Sequence, residues 1–215
     1  MTMPDGQREP SVGVDASRAE RVAMSRGLSP GQRALKRGFD VSGAVLGLAV
    51  TWWLIALTWA AATVDTRANG FFVQERVGRD GRRFRVIKLR TMRIDPGVDT
   101  TVTTSGDARI TPLGRWFRRL KLDELPQLIN VLKGDMSFVG PRPDVPGYAD
   151  ALEADDRVIL SVRPGITGPA TLKYRDEEEM LANAEDPEAY NREVIWPDKV
   201  RLNREYVENW SFMRD

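Results

Sequence analysis

The chain has 215 residues, with 32 Lys plus Arg against 31 Asp plus Glu, which allows one good core and gives no general pull toward nucleic acid. It contains neither Cys nor His, which excludes disulfides, thiolate chemistry, imidazole bases and His metal sites. Acids, bases, nucleophiles and hard-metal ligands must then come chiefly from Asp, Glu, Lys, Tyr, Ser and Thr.

Residues 1–32 are rich in Gly, Pro, Ser and Arg without a sustained apolar period, and are expected to form a largely disordered tail. Lys36 and Arg37 then precede a nearly uncharged segment, Val41 to Val64, holding Trp52, Trp53 and Trp59. As a helix these residues reach roughly 36 Å, enough for a ~30 Å hydrocarbon core, so residues 33–66 are predicted to be a membrane helix. The basic pair favours a cytoplasmic start, although Asp65 and Arg67 give only a weak contrast on the far side.

Residues 67–215 are expected to form one domain, giving an α/β, mainly helical fold with a small β-hairpin and interfacial helices. Phe71 to Gly78 and Arg82 to Thr91 alternate around Asp80-Gly81, which predicts the hairpin. On its second strand Phe84, Val86, Lys88 and Arg90 share a face, placing two cations together. Asp95 to Asp107 is turn-rich and expected to be mobile. Thr111-Pro112 starts a helix with Leu113, Trp116, Phe117 and Leu120 on one face and Arg115 and Arg119 on another, with Arg118 nearby.

Leu122-Asp123-Glu124-Leu125-Pro126-Gln127-Leu128 follows, two adjacent carboxylates among cations, a composition suited to phosphate chemistry. Asp123 also fits the N-cap of a helix from Glu124 to Leu132, with Leu125, Leu128, Ile129 and Leu132 as its apolar stripe and Gly134 at its exit. A helix N-terminus would keep that carboxylate ionised. Gly140-Pro141-Arg142-Pro143 holds an Arg on a stiff loop suited to bidentate phosphate binding. Arg163-Pro164-Gly165-Ile166-Thr167-Gly168-Pro169 is a second rigid loop whose backbone could approach a ligand. Asp176 to Glu179 is expected to be a solvated helix face, and Pro197 to Asp215 a final helix with Tyr206, Val207, Trp210 and Phe212 inward.

The ordered set Lys36-Arg37-x-x-Asp40, the apolar segment, Gln74-Glu75-Arg76-x-Gly78, Lys88-x-Arg90-Thr91-Met92, the Asp123 stretch, Gly134-Asp135-Met136-Ser137, Gly140 to Pro143 and Arg163 to Gly168 resembles the bacterial sugar transferases. These are monotopic polyprenyl-phosphate phosphoglycosyl transferases, and the resemblance covers about Lys36 to Trp210. It implies transfer of a phospho-sugar from a UDP-sugar to undecaprenyl phosphate, releasing UMP and starting a cell-surface glycan. It makes Asp123 the nucleophile and Glu124 a Mg²⁺ ligand, with Lys88, Arg90, Arg119, Arg142 and Arg163 binding phosphate. Lys36, Arg37, Trp52 and Trp53 would contact membrane lipid, with the catalytic domain on the cytoplasmic face of the inner membrane.

Two departures bear on membrane geometry. Members of the family usually carry Ser-Pro where this chain has Trp52-Trp53, so the helix is expected either to dip and return or to span, with the return favoured. The chain also stops after Tyr206-Val207-Glu208-Asn209-Trp210-Ser211, where an amphipathic segment commonly follows, so weaker docking is expected. The competing readings are a catalytically inactive membrane-tethered adaptor of the same fold and a nucleic-acid binder, the latter opposed by the balanced charge. The transferred sugar is not specified by these residues, and a homodimer is left open.

Overall fold

The structure, a computed structural model, describes residues 27–94 and 106–215. The predicted disordered tail therefore lies almost wholly outside the described residues, as does most of the predicted mobile segment.

Helix α1, Pro30–Thr66, begins where Ser29 and Gln32 satisfy each other's backbone N–H groups in a capping box, with Pro30 in the first turn. It runs about 56 Å without interruption. It passes straight through Trp52 and Trp53, so the favoured turn back at that point is not seen. The missing Pro is the physical reason: every backbone N–H there can complete its helical bond.

One stripe of α1 is buried toward both ends, at Lys36, Asp40 and Ala44 and again at Ile55, Thr58, Ala62 and Thr66, with Gly47, Leu48 and Thr51 half-buried between them. The stripe is small and polar because the domain presses close. A Cβ on Gly43 would meet the Phe138 ring at 2.7 Å. The other faces expose Leu46, Val50, Trp52, Trp53, Leu57 and Val64.

Strands β1 (Phe71–Val77) and β2 (Arg83–Leu89) form the expected antiparallel hairpin, with Phe71 opposite Leu89 and Val77 opposite Arg83. Asp80 and Gly81 both take positive φ in the turn, as an Asp-Gly hairpin loop requires. Helix α2, Pro112–Arg119, starts where predicted, with the Thr111 hydroxyl accepting from Gly114 N at 2.8 Å. Its apolar face divides. Leu113 and Phe117 join Ala62 and Leu89 in a core cluster, while Trp116 and Leu120 stay exposed.

Helix α3 is Gln127–Lys133, shorter and later than predicted. Its buried face is Gln127, Leu128, Asn130 and Val131, whereas Leu132 is exposed. Two amides thus replace part of the expected aliphatic stripe, because α3 packs on the edge of β2, whose backbone groups need partners. Asn130 supplies them, accepting from Ile87 N at 3.0 Å and donating to Arg85 O at 2.8 Å.

The two Gly-Pro loops pair with each other. Strands β3 (Ser137–Val139) and β4 (Gly165–Thr167) run parallel, with Gly165 N donating to Pro141 O and Gly140 N to Thr167 O. The glycines serve this contact, since a Cβ on Gly165 or Gly168 would strike the Gly140 backbone. The close backbone approach seen at these glycines is therefore between the two loops.

Short helices α4 (Pro169–Lys173), α5 (Glu177–Ala182) and α6 (Pro187–Tyr190) lead through a π-helical turn into α7, Trp196–Glu208. The expected solvated acidic face is half engaged: Glu178 pairs with Arg118 and Glu177 with Lys199. The final helix stops at Glu208, not at the chain end. Beyond it Asp215 accepts from Tyr206 and Trp210 and pairs with Lys36, which ties α7 to the start of α1.

Candidate active site

Helix α2 ends at Leu120, and Lys121 takes a left-handed conformation that throws the chain into a 3₁₀ turn, Leu122–Glu124. Leu122 packs beside Phe117 and Leu89, which fixes the turn against the base of the hairpin. Asp123 is thereby buried, 8 % exposed. It does not cap α3, whose N-cap is Pro126 without a side-chain bond. Its Oδ1 is buried with no hydrogen-bond partner among the described residues.

Glu124 faces two cations. Arg142 donates to its Oε1 at 2.5 Å, and Lys88 Nζ lies 3.8 Å from the same oxygen. Arg142 also donates to Ile166 O at 3.3 Å, so the parallel β3–β4 pair holds the Arg loop against the carboxylates. Lys88 is placed by β2, which Asn130 in turn locks to α3. Four of the expected residues, Lys88, Asp123, Glu124 and Arg142, therefore meet at one place.

The electrostatics of the two carboxylates differ. Burial is the largest influence on Asp123 and raises its pKa, with Lys88 opposing and Glu124 adding to the rise. Asp123 is not at the N-terminus of α3, so the expected helix-end stabilisation of its charge is not in place. Burial would also raise Glu124, but Arg142 and Lys88 outweigh it and hold the group down at about 2. Lys88 is lowered to about 8, by burial first and then by Arg142. A fixed anion thus sits beside a more proton-avid, unpartnered one.

The other expected phosphate ligands stand elsewhere. Arg90 donates to Asn69 O and Phe71 O and lies over the Phe72 ring, because strand pairing ends at Leu89 and the side chain turns away from Lys88. Arg119 is exposed, one residue past the inward face of α2. Arg163 donates to Gly134 O at the far end of α3. Of the membrane set, Trp52 and Trp53 are exposed on α1. Lys36 and Arg37 instead turn into the domain, Lys36 to Asp215 and Arg37 to the Val131 and Leu132 carbonyls.

Sequence reasoning noted Arg118 only as a neighbour of Arg115 and Arg119, without a role, and passed over Asp144. Arg118 donates to Thr91 and Glu178 and lies close enough to stabilise the Asp123 anion. Its position one residue before Arg119 was the only signal, and helical phase decides between them. Asp144 is raised to about 6 by burial, beside Lys199, Arg76 and Arg142. Arg76, in the Gln74-Glu75-Arg76 segment, reaches toward the same loop at Pro143 O.

No cluster of three or more acidic, His or Cys ligands occurs among the described residues. Mg²⁺ does not require one, since it is commonly held by one or two carboxylates together with substrate phosphates and water. The orphaned Asp123 Oδ1 beside Glu124 fits such a minimal, substrate-completed site.

The family described as Bacterial sugar transferase matches residues 31–215. The chain is 38% identical over 202 residues to an undecaprenyl-phosphate glucose phosphotransferase of Komagataeibacter xylinus, covering 90% of this chain and 36% of that protein. It is 36% identical over 181 residues to the uncharacterized sugar transferase EpsL of Bacillus subtilis, covering 84% and 81%. It is 34% identical over 184 residues to the UDP-glucose:undecaprenyl-phosphate glucose-1-phosphate transferase of Caulobacter vibrioides, covering 84% and 65%. The chain thus spans about a third of the Komagataeibacter protein and most of EpsL. It belongs to the bacterial sugar transferase family.

Proposed function

We propose that the protein transfers a sugar 1-phosphate from a UDP-sugar to undecaprenyl phosphate, by way of an aspartyl-phosphosugar on Asp123. The observation that carries this reading is the buried, unpartnered Asp123 carboxylate beside a Glu124 already committed to Arg142 and Lys88. A nucleophile needs an unengaged oxygen, and Asp123 Oδ1 accepts from no described residue, whereas Glu124 Oε1 is taken by Arg142 with Lys88 close by.

In the first step an Asp123 oxygen attacks the sugar-bearing phosphorus. The bond from that phosphorus to the bridging oxygen breaks, and UMP leaves with the electron pair. In the second, an oxygen of undecaprenyl phosphate attacks the same phosphorus and restores the carboxylate. Arg142 and Lys88 stabilise charge on the transferring group, and Arg118 steadies the Asp123 anion. Glu124, with Asp123, would hold Mg²⁺, which supplies charge neutralisation for an anion approaching a diphosphate.

Membrane attachment follows from α1, the one described helix long and apolar enough to cross a bilayer. We infer that it lies along the cytoplasmic surface of the membrane instead of crossing. Near its start Asp40 accepts from Ser137 and Phe138 N, and near its end Ala62 packs on Leu89 and Phe117. Those contacts are about 33 Å apart along the helix. A perpendicular crossing would carry the charged hairpin into hydrocarbon, whereas an in-plane helix offers the bilayer its exposed apolar faces.

The test is UMP release from a panel of UDP-sugars in detergent with undecaprenyl phosphate and Mg²⁺. Release with one donor, lost in Asp123→Asn, supports the reading and names the sugar. Release undiminished in Asp123→Asn removes the nucleophile assignment, and no release with any donor favours the inactive adaptor.

A further inference from the structure

A second cluster of cations lies at the opposite end of α3 from Asp123. There a small cleft, open to solvent, lies between the first turns of α1, the hairpin turn and the segment before β4. Arg33, Lys36, Arg79 and Arg163 line it, with Asp40 as the carboxylate among them.

Most of these side chains have a structural duty that leaves donors over. Arg33 uses Nε on Leu28 O, and Arg163 uses Nε on Gly134 O, which leaves the paired terminal nitrogens of each fork without a partner among the described residues. Among those residues Arg79 has an exposed pair with Asp80. Arg37 stands beside Arg163 and adds to the positive charge. Five cations, Arg33, Lys36, Arg37, Arg79 and Arg163, therefore share three carboxylates, Asp40, Asp80 and Asp215.

A second observation points to a ligand. Ser161 is 5 % exposed, lines the same cleft, and its hydroxyl has no partner among the described residues. A buried hydroxyl left unpaired is costly unless something completes it. Asp40 limits what that can be: Oδ1 is taken by Ser137 and Phe138 N, while Oδ2 is buried and unpartnered. A dianion would meet more repulsion from this carboxylate than a monoanion would. A phosphate with one negative charge would be accepted.

We propose that this cleft is a phosphate-binding site separate from the Asp123 centre, in which the Arg33, Arg79 and Arg163 forks and the Ser161 hydroxyl hold a singly charged phosphate group. Its position fits a membrane-proximal ligand, since Arg33, Lys36 and Asp40 belong to the first turns of α1, where Leu35 and Phe39 are exposed. Phospholipid headgroups and free inorganic phosphate share this chemistry. The site does not depend on the transfer reaction proposed above.

The experiment uses the full chain in neutral detergent and on vesicles of phosphatidylcholine, alone or mixed with phosphatidylglycerol. Arg33→Gln/Arg79→Gln is compared with Arg85→Gln/Arg192→Gln, which removes two exposed charges elsewhere. The first variant is expected to lose roughly tenfold more of the preference for phosphatidylglycerol than the second. Ser161→Ala, which leaves every charge in place, is expected to weaken it about fivefold. Phosphatidylglycerol preference without binding of inorganic phosphate by calorimetry identifies a lipid headgroup. Phosphate binding in detergent, lost in the first variant alone, identifies free phosphate. Equal losses in the two double variants, or wild-type protein with neither preference nor phosphate binding, would overturn the site. Should the double variant melt early, Arg79→Gln alone carries the comparison.

Discussion

Arg142 donates to Glu124 Oε1 at 2.5 Å, while Oδ1 of the adjacent Asp123 accepts from no described residue. Replacing Arg142 with Lys shortens the reach and removes the fork. Turnover should fall by about 10²-fold or more, as when a preorganised donor is lost from a transition state. Comparison of kcat with the melting temperature checks this: kcat falls while Tm moves by only a few degrees.

Asn130 is fully buried and joins the β2 backbone to α3. Asn130→Leu keeps the volume but strands Ile87 N and Arg85 O. Each orphaned group costs ~1–3 kcal/mol, so urea denaturation should show at least ~2 kcal/mol of lost stability. A change under ~0.5 kcal/mol would mean that the strand edge finds other partners.

The fold was readable in the sequence where local signals act alone. Asp80-Gly81 set the hairpin, and Thr111-Pro112 set the start of α2. It was unreadable where one element answers another's unmet need. Asn130 points inward because a strand edge must be satisfied, and periodicity counts only apolar residues. The β3–β4 pair is three residues per strand, bracketed by Gly and Pro, too short to show alternation. At the site, residue type and neighbourhood picked out Asp123, Glu124, Lys88 and Arg142, but helical phase and strand ends decided which arginines face them. Asp123 was misread as a cap for the same reason: the 3₁₀ turn set by Lys121 depends on packing of Leu122 that no short window shows.

Gly114 sits where α2 crosses the end of the hairpin, and a Cβ there would collide with the Thr91 carbonyl oxygen. The obstacle is backbone, so it yields only if α2 shifts. Gly114→Ala should therefore cost ~1–3 kcal/mol despite the better helix propensity of Ala. It should also lower activity, because Arg118 and the Asp123 turn move with α2. Thermal melts and UMP release measured together check both halves.

Asp144 supplies a pH test of stability. Its folded pKa, about 6, lies above the ordinary value of 3.8 because of burial. The folded state therefore holds this proton more tightly than the unfolded chain, and the contribution is lost as pH rises from about 4 through about 6. Two units correspond to at most ~3 kcal/mol. Asp144→Asn should flatten the stability profile across that window. A profile as steep in the variant as in the wild type would assign the slope to other groups.

In-plane attachment of α1 predicts that both of its ends are reached from one side. The chain has no Cys, so Gly31→Cys and Arg67→Cys each provide a single label site. In inverted inner-membrane vesicles, with the cytoplasmic face outward, an impermeant maleimide should label both. Labelling of only one would show a crossing helix.

The most direct measurement is the intact mass of the protein after mixing with its UDP-sugar donor and Mg²⁺ without undecaprenyl phosphate, followed by peptide mapping. The account predicts one added phosphosugar on the peptide that carries Asp123, formed with release of UMP, absent in Asp123→Asn and discharged when undecaprenyl phosphate is added. Full turnover with no added mass at any time, or an adduct that persists in Asp123→Asn, would contradict it.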